Sequence, residues 1–282
     1  MTDPNPNGGL ASLFKPVSQM SRNEIGANIL IYGPPGAGKT HRAAEGGRPA
    51  VLLTERNGLT TIRTVNPNAA VLVATDLDTI RRVIVGAQNG ELNGFDRLVI
   101  DSLTEAQRLI RDDIMRQKIE RHKAKSKNSR SQNSRSGQDK EAFDPELFTV
   151  QDWGRLAERT RKLIRNIRAI PIPVIAVALD DAFEVASESN DGEATTVIHH
   201  RPQFDGRKTP AEIAQYFSAV GFSYKRAAKD GSDPTHGILF DGPQRFLTKS
   251  CKPGLTGNKV SMTGIQMIEA ISGTPSPAPG NG

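Results

Sequence analysis

The chain has a single cysteine, Cys251, in 282 residues. That excludes a disulfide framework and a cysteine-based zinc site, and it suits a reducing, cytoplasmic setting. No apolar run approaches the length of a membrane span, so a helical membrane protein is excluded and no membrane partner is expected. Residues Met1 to Gly9 are rich in Asn, Pro and Gly and lack the apolar centre of a signal peptide. No internal repeat appears. Acidic residues are in the minority, 31 against 37 Lys and Arg, which leaves a formal net charge of +6 and a pI near 9.5. Such a balance mildly favours an acidic partner, and both nucleotide and nucleic acid qualify.

What is present begins with Gly33-Pro34-Pro35-Gly36-Ala37-Gly38-Lys39-Thr40. It fits G-x-x-x-x-G-K-[ST], the phosphate-binding P-loop. The glycines let successive backbone N–H groups point into one anion-sized hollow, and the helix that follows turns its positive end to the same place. Lys39 would reach the β- and γ-phosphates of ATP, and the Thr40 hydroxyl would hold Mg2+. The context is right: Asn28 to Tyr32 reads as a buried strand, and Lys39 to Glu45 as a short helix ended by Gly46-Gly47.

Apolar strands recur at Ala50–Thr54, Ala70–Ala74, Arg97–Asp101 and Val174–Leu179, with helical periodicity after Asp76, after Leu103 and from an N-cap at Asp152 to Pro171. A further helix is expected from Thr209 to about Val220. Shorter strands are expected at Phe222–Arg226, Ile238–Phe240 and Arg245–Thr248, and a last helix at Gly264–Ser272. This pattern predicts an α/β fold: a mainly parallel sheet with helices on both faces, and antiparallel strands at the C-terminal end. The domain organisation expected is a flexible leader over 1–24, one domain over 25–272 and a flexible tail over 273–282.

Two stretches interrupt the pattern. Residues from about 116 to 146 carry Lys118, Arg121, Lys123, Lys125, Lys127, Arg130 and Arg135 among Ser, Asn and Gln, and read as a disordered basic insertion. Its cations could contact the phosphates of single-stranded DNA. From Arg116 to Gly137 there is no aromatic residue on which bases could stack, and a merely solubilising surface run is the other reading. Asp180 to Gly206 reads as irregular, polar and partly acidic. His199-His200 is set aside as a metal site, because adjacent residues of a strand point to opposite faces. Trp153 heads an apolar helical stripe and reads as core.

Two carboxylates complete the candidate chemistry. Asp101 ends an apolar strand, where an acid can hold Mg2+ opposite Thr40. Glu55 ends the strand after the P-loop helix, on the rim shared with the P-loop in a parallel sheet, where it can orient or deprotonate the attacking water. The other reading of Glu55 is a solvated strand end.

With these residues in view, the chain resembles the RecA-like P-loop ATPases, and most of all the Sak-type phage ATPases of recombination and single-strand annealing. The stretches that carry the resemblance are Leu30 to Thr40, Thr54-Glu55 with Asn57-Gly58-Leu59, Val99 to Thr104, Asp152-Trp153-Gly154, and Arg201-Pro202 through Ser250. Asp101-Ser102 and the position of Glu55 point to RecA-like rather than AAA+ or GTPase relatives. The resemblance implies an ATPase that uses Mg-ATP, works on single-stranded DNA, and assembles with itself into a ring or filament, with a phage single-strand-binding protein as a further partner. It implies a catalytic glutamate at Glu55 and a Walker B aspartate at Asp101. Lys249, with Lys252 less closely, takes the place of a lysine inserted into a neighbouring subunit's nucleotide site. A replicative helicase or helicase loader, and a nucleotide-gated adaptor with weak hydrolysis, remain alternatives. One position departs from the family pattern: the polar Gln or His usual at the end of the strand Val174–Leu179 is absent, and Leu179-Asp180-Asp181 stands there.

Overall fold

The computed structural model describes residues 26–129, 147–188, 194–227, 233–251 and 253–273. The leader, the tail beyond Gly273, Arg130, Arg135, Asp191, Glu193 and Lys252 lie outside them.

The strands are β1 (Asn28–Gly33), β2 (Pro49–Leu53), β3 (Ala70–Val73), β4 (Arg97–Asp101), β5 (Val174–Glu188), β6 (Ala194–Pro202), β7 (Ala219–Arg226), β8 (Thr235–Phe240), β9 (Lys249–Ser250) and β10 (Gly257–Val260). The helices are α1 (Lys39–Ala44), α2 (Gly58–Val65), α3 (Leu77–Gln88), α4 (Leu103–Ser129), α5 (Val150–Arg168), α6 (Thr209–Ala214) and α7 (Gly264–Ser272). The sheet order is β10-β8-β7-β1-β5-β4-β2-β3, with β6 paired to β5 and β9 to β7. From β7 to β3 every neighbour is parallel, and β8, β9 and β10 add in antiparallel fashion. This is the expected α/β arrangement, a mainly parallel sheet between helices with antiparallel strands from the C-terminal part of the chain. Strand β5 separates the P-loop strand β1 from the Asp101 strand β4.

Successive side chains of a strand point to opposite faces, so each apolar strand feeds two cores. Leu30, Tyr32, Leu98, Ile100 and Ala176 pack beneath α3, α4 and α5 through Ile80, Ile84, Ala106, Ile110, Leu156 and Ile164. Ile29, Ile31, Val99, Ile175 and Val177 pack under α1, α2 and α7 through Ala43, Ala44, Ile62, Met267 and Ile268. Cover is incomplete at the sheet's outer strand, where Val71 and Leu72 of β3 are exposed.

The C-terminal end of α1 is fastened from beneath. Arg97, fully buried, donates through Nε to Ala43 O at 3.0 Å and through Nη2 to Glu45 O and Gly46 O at 2.9 and 2.8 Å, and pairs with Asp96 at 2.6 Å. Asn66 Nδ2 donates to Ala44 O, Gly46 O and Gly47 O. Without Arg97 the carbonyls of Ala43 and Glu45 would lose their side-chain donor, and Asp96 its ion-pair partner. Arg97→Met should therefore lower the unfolding free energy by about 3 kcal/mol, read from urea melts. A change within about 0.5 kcal/mol, the range of ordinary surface substitutions, would mean that the arginine only fills space.

Several sequence expectations need correction. Helix α4 continues to Ser129, so Lys118, Arg121, Lys123, Lys125 and Lys127 lie on a helix and not in a disordered loop. The N-cap of α5 is Thr149, not Asp152: the Thr149 side chain accepts from Asp152 N, and Asp152 Oδ2 accepts from Thr149 N, a reciprocal capping box. Trp153 is not core but partly exposed, edge-on to Phe148 at 4.7 Å with the Arg111 guanidinium over its ring. The stretch after Leu179 is no irregular loop: β5 runs on to Glu188 and pairs antiparallel with β6 from Asp180↔Pro202 to Glu188↔Ala194. Helix α6 stops at Ala214, and β7 has already begun at Ala219. Residues 245–248 form no strand of their own; only an isolated bridge joins Phe246 to His200. Helix α2, from Gly58 to Val65, has no counterpart among the elements expected from sequence.

Candidate nucleotide site

The parallel strands end on one rim. Register places Gly33 beside Leu179, and Leu53 beside Asp101, so the P-loop, Glu55, Asp101 and Asp180 all arrive at that rim. Gly33 is required by crowding: a Cβ there would lie 2.1 Å from Ser223 O. Gly38 turns into α1 at φ 84°, a left-handed conformation that favours glycine, and the His236 ring packs against it. The Ser223 hydroxyl donates to Ala37 O at 2.7 Å and holds the loop from the β7 side.

Lys39 is buried, and its Nζ donates to Gly33 O at 2.7 Å and Pro34 O at 2.8 Å, lying back across the loop. Burial lowers its pKa, while Asp101 and Asp180 work in the opposite direction. The Thr40 hydroxyl donates to Asp101 Oδ2 at 2.5 Å. Burial raises the Asp101 carboxyl above the usual range, against the Thr40 hydrogen bond and Lys39. The residues fit Mg-ATP by their chemistry. A hydroxyl and a carboxylate in contact are a hard-oxygen pair of the kind magnesium takes, and among the described residues the N–H groups of Gly36 and Gly38 have no acceptor. A divalent cation there would supply charge neutralisation to the phosphates.

The strand-end residues are braced. Thr54 N donates to Asp101 O at 2.8 Å, its hydroxyl donates to Ser102 O at 3.2 Å, and it accepts from Ser102 N at 2.8 Å. The Asp101–Ser102 peptide is cis. Next in the chain, Glu55 is exposed on the rim, with no side-chain partner among the described residues.

Asp180, which the sequence presents as an oddly placed acid, is not isolated. Its Oδ2 meets His200 Nδ1 at 2.8 Å, and its side chain is only 8% exposed. Burial raises its carboxyl, while the His200 hydrogen bond opposes the shift. Its Oδ1 is buried without a hydrogen-bond partner among the described residues. The sequence alone sets His200 aside. Its link to Asp180 follows from the β5–β6 register, in which Asp180 faces Pro202 and so shares a face with His200, two residues away on the partner strand. Tyr32, below, donates its hydroxyl to His200 O at 3.1 Å, and burial pushes that phenol up.

The other predicted residues lie away from the rim. Lys249, exposed at the start of β9, faces Val220, and its Nζ donates to Phe217 O at 2.8 Å, below the P-loop end of the sheet. Of the basic run, Lys118 is committed within the chain: it donates to Leu147 O at 2.5 Å and Asp152 Oδ2 at 3.0 Å, with 16% of its side chain exposed. Arg121 and Lys123 are exposed on α4.

Among solved structures, the KaiC-like protein PH0186 from the hyperthermophilic archaea Pyrococcus horikoshii OT3 is similar at 14% identity, covering 83% of this chain and 88% of its own, with a TM-score of 0.41. The RadB recombinase is similar at 16% identity over 76% of this chain and 79% of its own, with a TM-score of 0.36. No curated protein matches the chain. A protein-family model described as an AAA domain matches residues 25–256, from just before the P-loop strand to just beyond β9. With its P-loop, Thr40–Asp101 pair and parallel sheet all inside that match, the chain belongs to this AAA-domain family.

Proposed function

We propose that the protein is a Mg-ATP-dependent ATPase of phage DNA recombination, of the single-strand annealing kind, which binds single-stranded DNA and assembles with itself in the host cytoplasm. The observation that carries the ATPase reading is the junction at the rim. Lys39 lies across the loop on Gly33 O, the Thr40 hydroxyl meets Asp101, and Glu55 stands on the same rim, open to solvent and with no side-chain partner among the described residues, which supports a metal-bound triphosphate there. In this reading Gly33 to Thr40 hold the phosphates, Thr40 and Asp101 hold magnesium, and Glu55 orients the attacking water.

The DNA reading rests on charge. Arg121 and Lys123 are exposed on the outer part of α4, with Lys125 and Lys127 following on the same helix. Lys118 is left out of the DNA set, because its ammonium is used between α4 and α5. Lys249 belongs to the assembly reading: it is exposed and remote from its own P-loop, and to serve another copy's site its ammonium would have to leave Phe217 O.

One experiment tests the whole. ATP turnover is measured against protein concentration, with and without a thymidine oligonucleotide, and oligonucleotide affinity is followed against salt. Turnover per subunit should rise with concentration and again with DNA. Replacing Arg121 and Lys123 by Ala should reduce the slope of log affinity against log salt by roughly 0.7 for each phosphate that is no longer neutralised. Turnover indifferent to both concentration and DNA would leave an ATPase without the recombination role.

A further inference from the structure

A second concavity lies between α3, α4 and α5, and none of its lining residues belongs to the nucleotide site. It encloses about 390 Å3, within the range of ligand pockets. Part of the lining is apolar. Buried Ile84 and Leu163 contribute to it, together with Val85, which is 51% exposed. A half-exposed valine over an apolar hollow leaves area in water that a bound side chain would cover. The rest of the lining is cationic. Arg81 comes from α3, Arg159 and Lys162 come from α5, and no acid lines the groove among the described residues.

The positive charge is only partly spent within the chain. Arg81 pairs with Asp78 at 3.0 Å, a solvent-exposed pair of the kind worth little and easily exchanged. Arg159 pairs with Asp113, a carboxylate that also takes Arg116, so the three groups together stay positive. Lys162 is exposed and makes no ion pair among the described residues. The helix that carries it, α5, has six Lys and Arg against two acids. Acids collect instead beyond Leu77, where Asp76, Asp78, Asp112 and Asp113 line a separate hollow. A negatively charged partner is therefore drawn to the α5 side of the groove and turned away from the other.

We propose that this groove binds an acidic segment of a partner protein, with one bulky apolar side chain seated against Ile84, Val85 and Leu163 and flanking carboxylates on Lys162, Arg81 and Arg159. The anchor supplies most of the affinity, because seating it removes both its own surface and that of Val85 from water. The carboxylates supply orientation and encounter rate, so binding weakens with salt. Nucleic acid fits the groove less well. No aromatic ring lines it among the described residues, so a base finds nothing to stack on, and the apolar part of the lining has no use for phosphate.

The test titrates the full chain into a fluorescein-labelled peptide of aspartates around one phenylalanine and one leucine, read by anisotropy. The unaltered protein should bind it with Kd below about 100 μM. Exchanging the peptide's phenylalanine for alanine should weaken binding roughly 30-fold, the size of a hot-spot loss. Exchanging its aspartates for asparagines should weaken binding as well. Lys162→Glu should cost roughly 10-fold, and Val85→Asp, which puts an acid against the anchor, roughly 30-fold or more. Both positions are exposed, so melting temperature and ATP turnover should stay as in the unaltered protein. Should Val85→Asp loosen the fold, Lys162→Glu still decides the matter. With benzoylphenylalanine in place of the phenylalanine, photo-crosslinks should fall on residues 77–88 or 159–166. No binding at about 1 mM peptide, equal binding of the asparagine peptide, undiminished binding by Lys162→Glu, or crosslinks elsewhere would overturn the proposal. So would a thymidine oligonucleotide that displaces the peptide and loses affinity in Lys162→Glu, which would make the groove a nucleic-acid surface. A change of oligomeric state in Val85→Asp would make it a face between copies of this chain, and would overturn the proposal equally.

Discussion

Glu55→Gln should bind Mg-ATP as tightly as the unaltered protein and hydrolyse it roughly 100- to 10,000-fold more slowly, the usual worth of a positioned general base. The amide matches the carboxylate in shape but cannot take a proton. Glu55 is exposed and engages no side chain among the described residues, so its loss disturbs no packing. The effect should fall on kcat, with KM for ATP little changed. Steady-state turnover and calorimetric ATP binding on the same preparation decide the matter. If turnover stays near that of the unaltered protein, the rim's base lies elsewhere and Glu55 is a solvated strand end.

Lys39→Ala should lose nucleotide. In the structure the ammonium lies over the loop on Gly33 O and Pro34 O, buried and within the influence of Asp101 and Asp180. Its removal leaves two carboxylates facing the place where a triphosphate must sit, with no fixed cation on the loop to offset them. One charge-assisted hydrogen bond of about 3 kcal/mol corresponds to roughly 100-fold in affinity, and the repulsion adds to it. Calorimetric titration with Mg-ATP measures the loss, and a melting curve taken alongside shows whether removing the loop's two hydrogen bonds has loosened the fold. Undiminished affinity would mean that Gly33 to Thr40 is a turn with a chance lysine.

The central sheet is readable because its strands are apolar on both faces and punctuated by Gly, Pro and Asp, and the site residues Lys39, Thr40 and Asp101 sit at fixed places relative to those strands. What escapes reading has weaker local physics. Helix α2 is short, carries Thr60, Thr61 and Thr64 and buries only Ile62, so the spacing of Leu59, Ile62 and Val65 covers too little chain to stand out. The β5–β6 hairpin does alternate, with Asp181, Phe183 and Val185 less exposed than Ala182, Glu184 and Ala186, but an acid on each face, Asp181 and Glu184, disguises the period of two. The basic end of α4 reads as disorder because helix can persist on propensity without an apolar stripe. The Asp180–His200 pair cannot be seen until the hairpin's register is known, since twenty residues separate its members in sequence and less than 3 Å separates their side chains.

The seating of α1 has a consequence for how the protein comes into being on the ribosome. Arg42 of this P-loop helix donates to His236 O and Met262 O at 2.9 and 3.1 Å, and Gly264 lies so close that a Cβ would stand 2.8 Å from Ala43 O. The strand before it, β1, is flanked by β5 and β7, whose residues come some 150 to 190 positions later. The phosphate loop is thus among the first described segments to emerge and among the last to find its surroundings. During synthesis the exposed apolar β1 must wait for partners that have not yet been translated, a period of about ten seconds or more at ordinary elongation rates. The seat that nucleotide would need at the P-loop is therefore complete only once nearly the whole domain has been made.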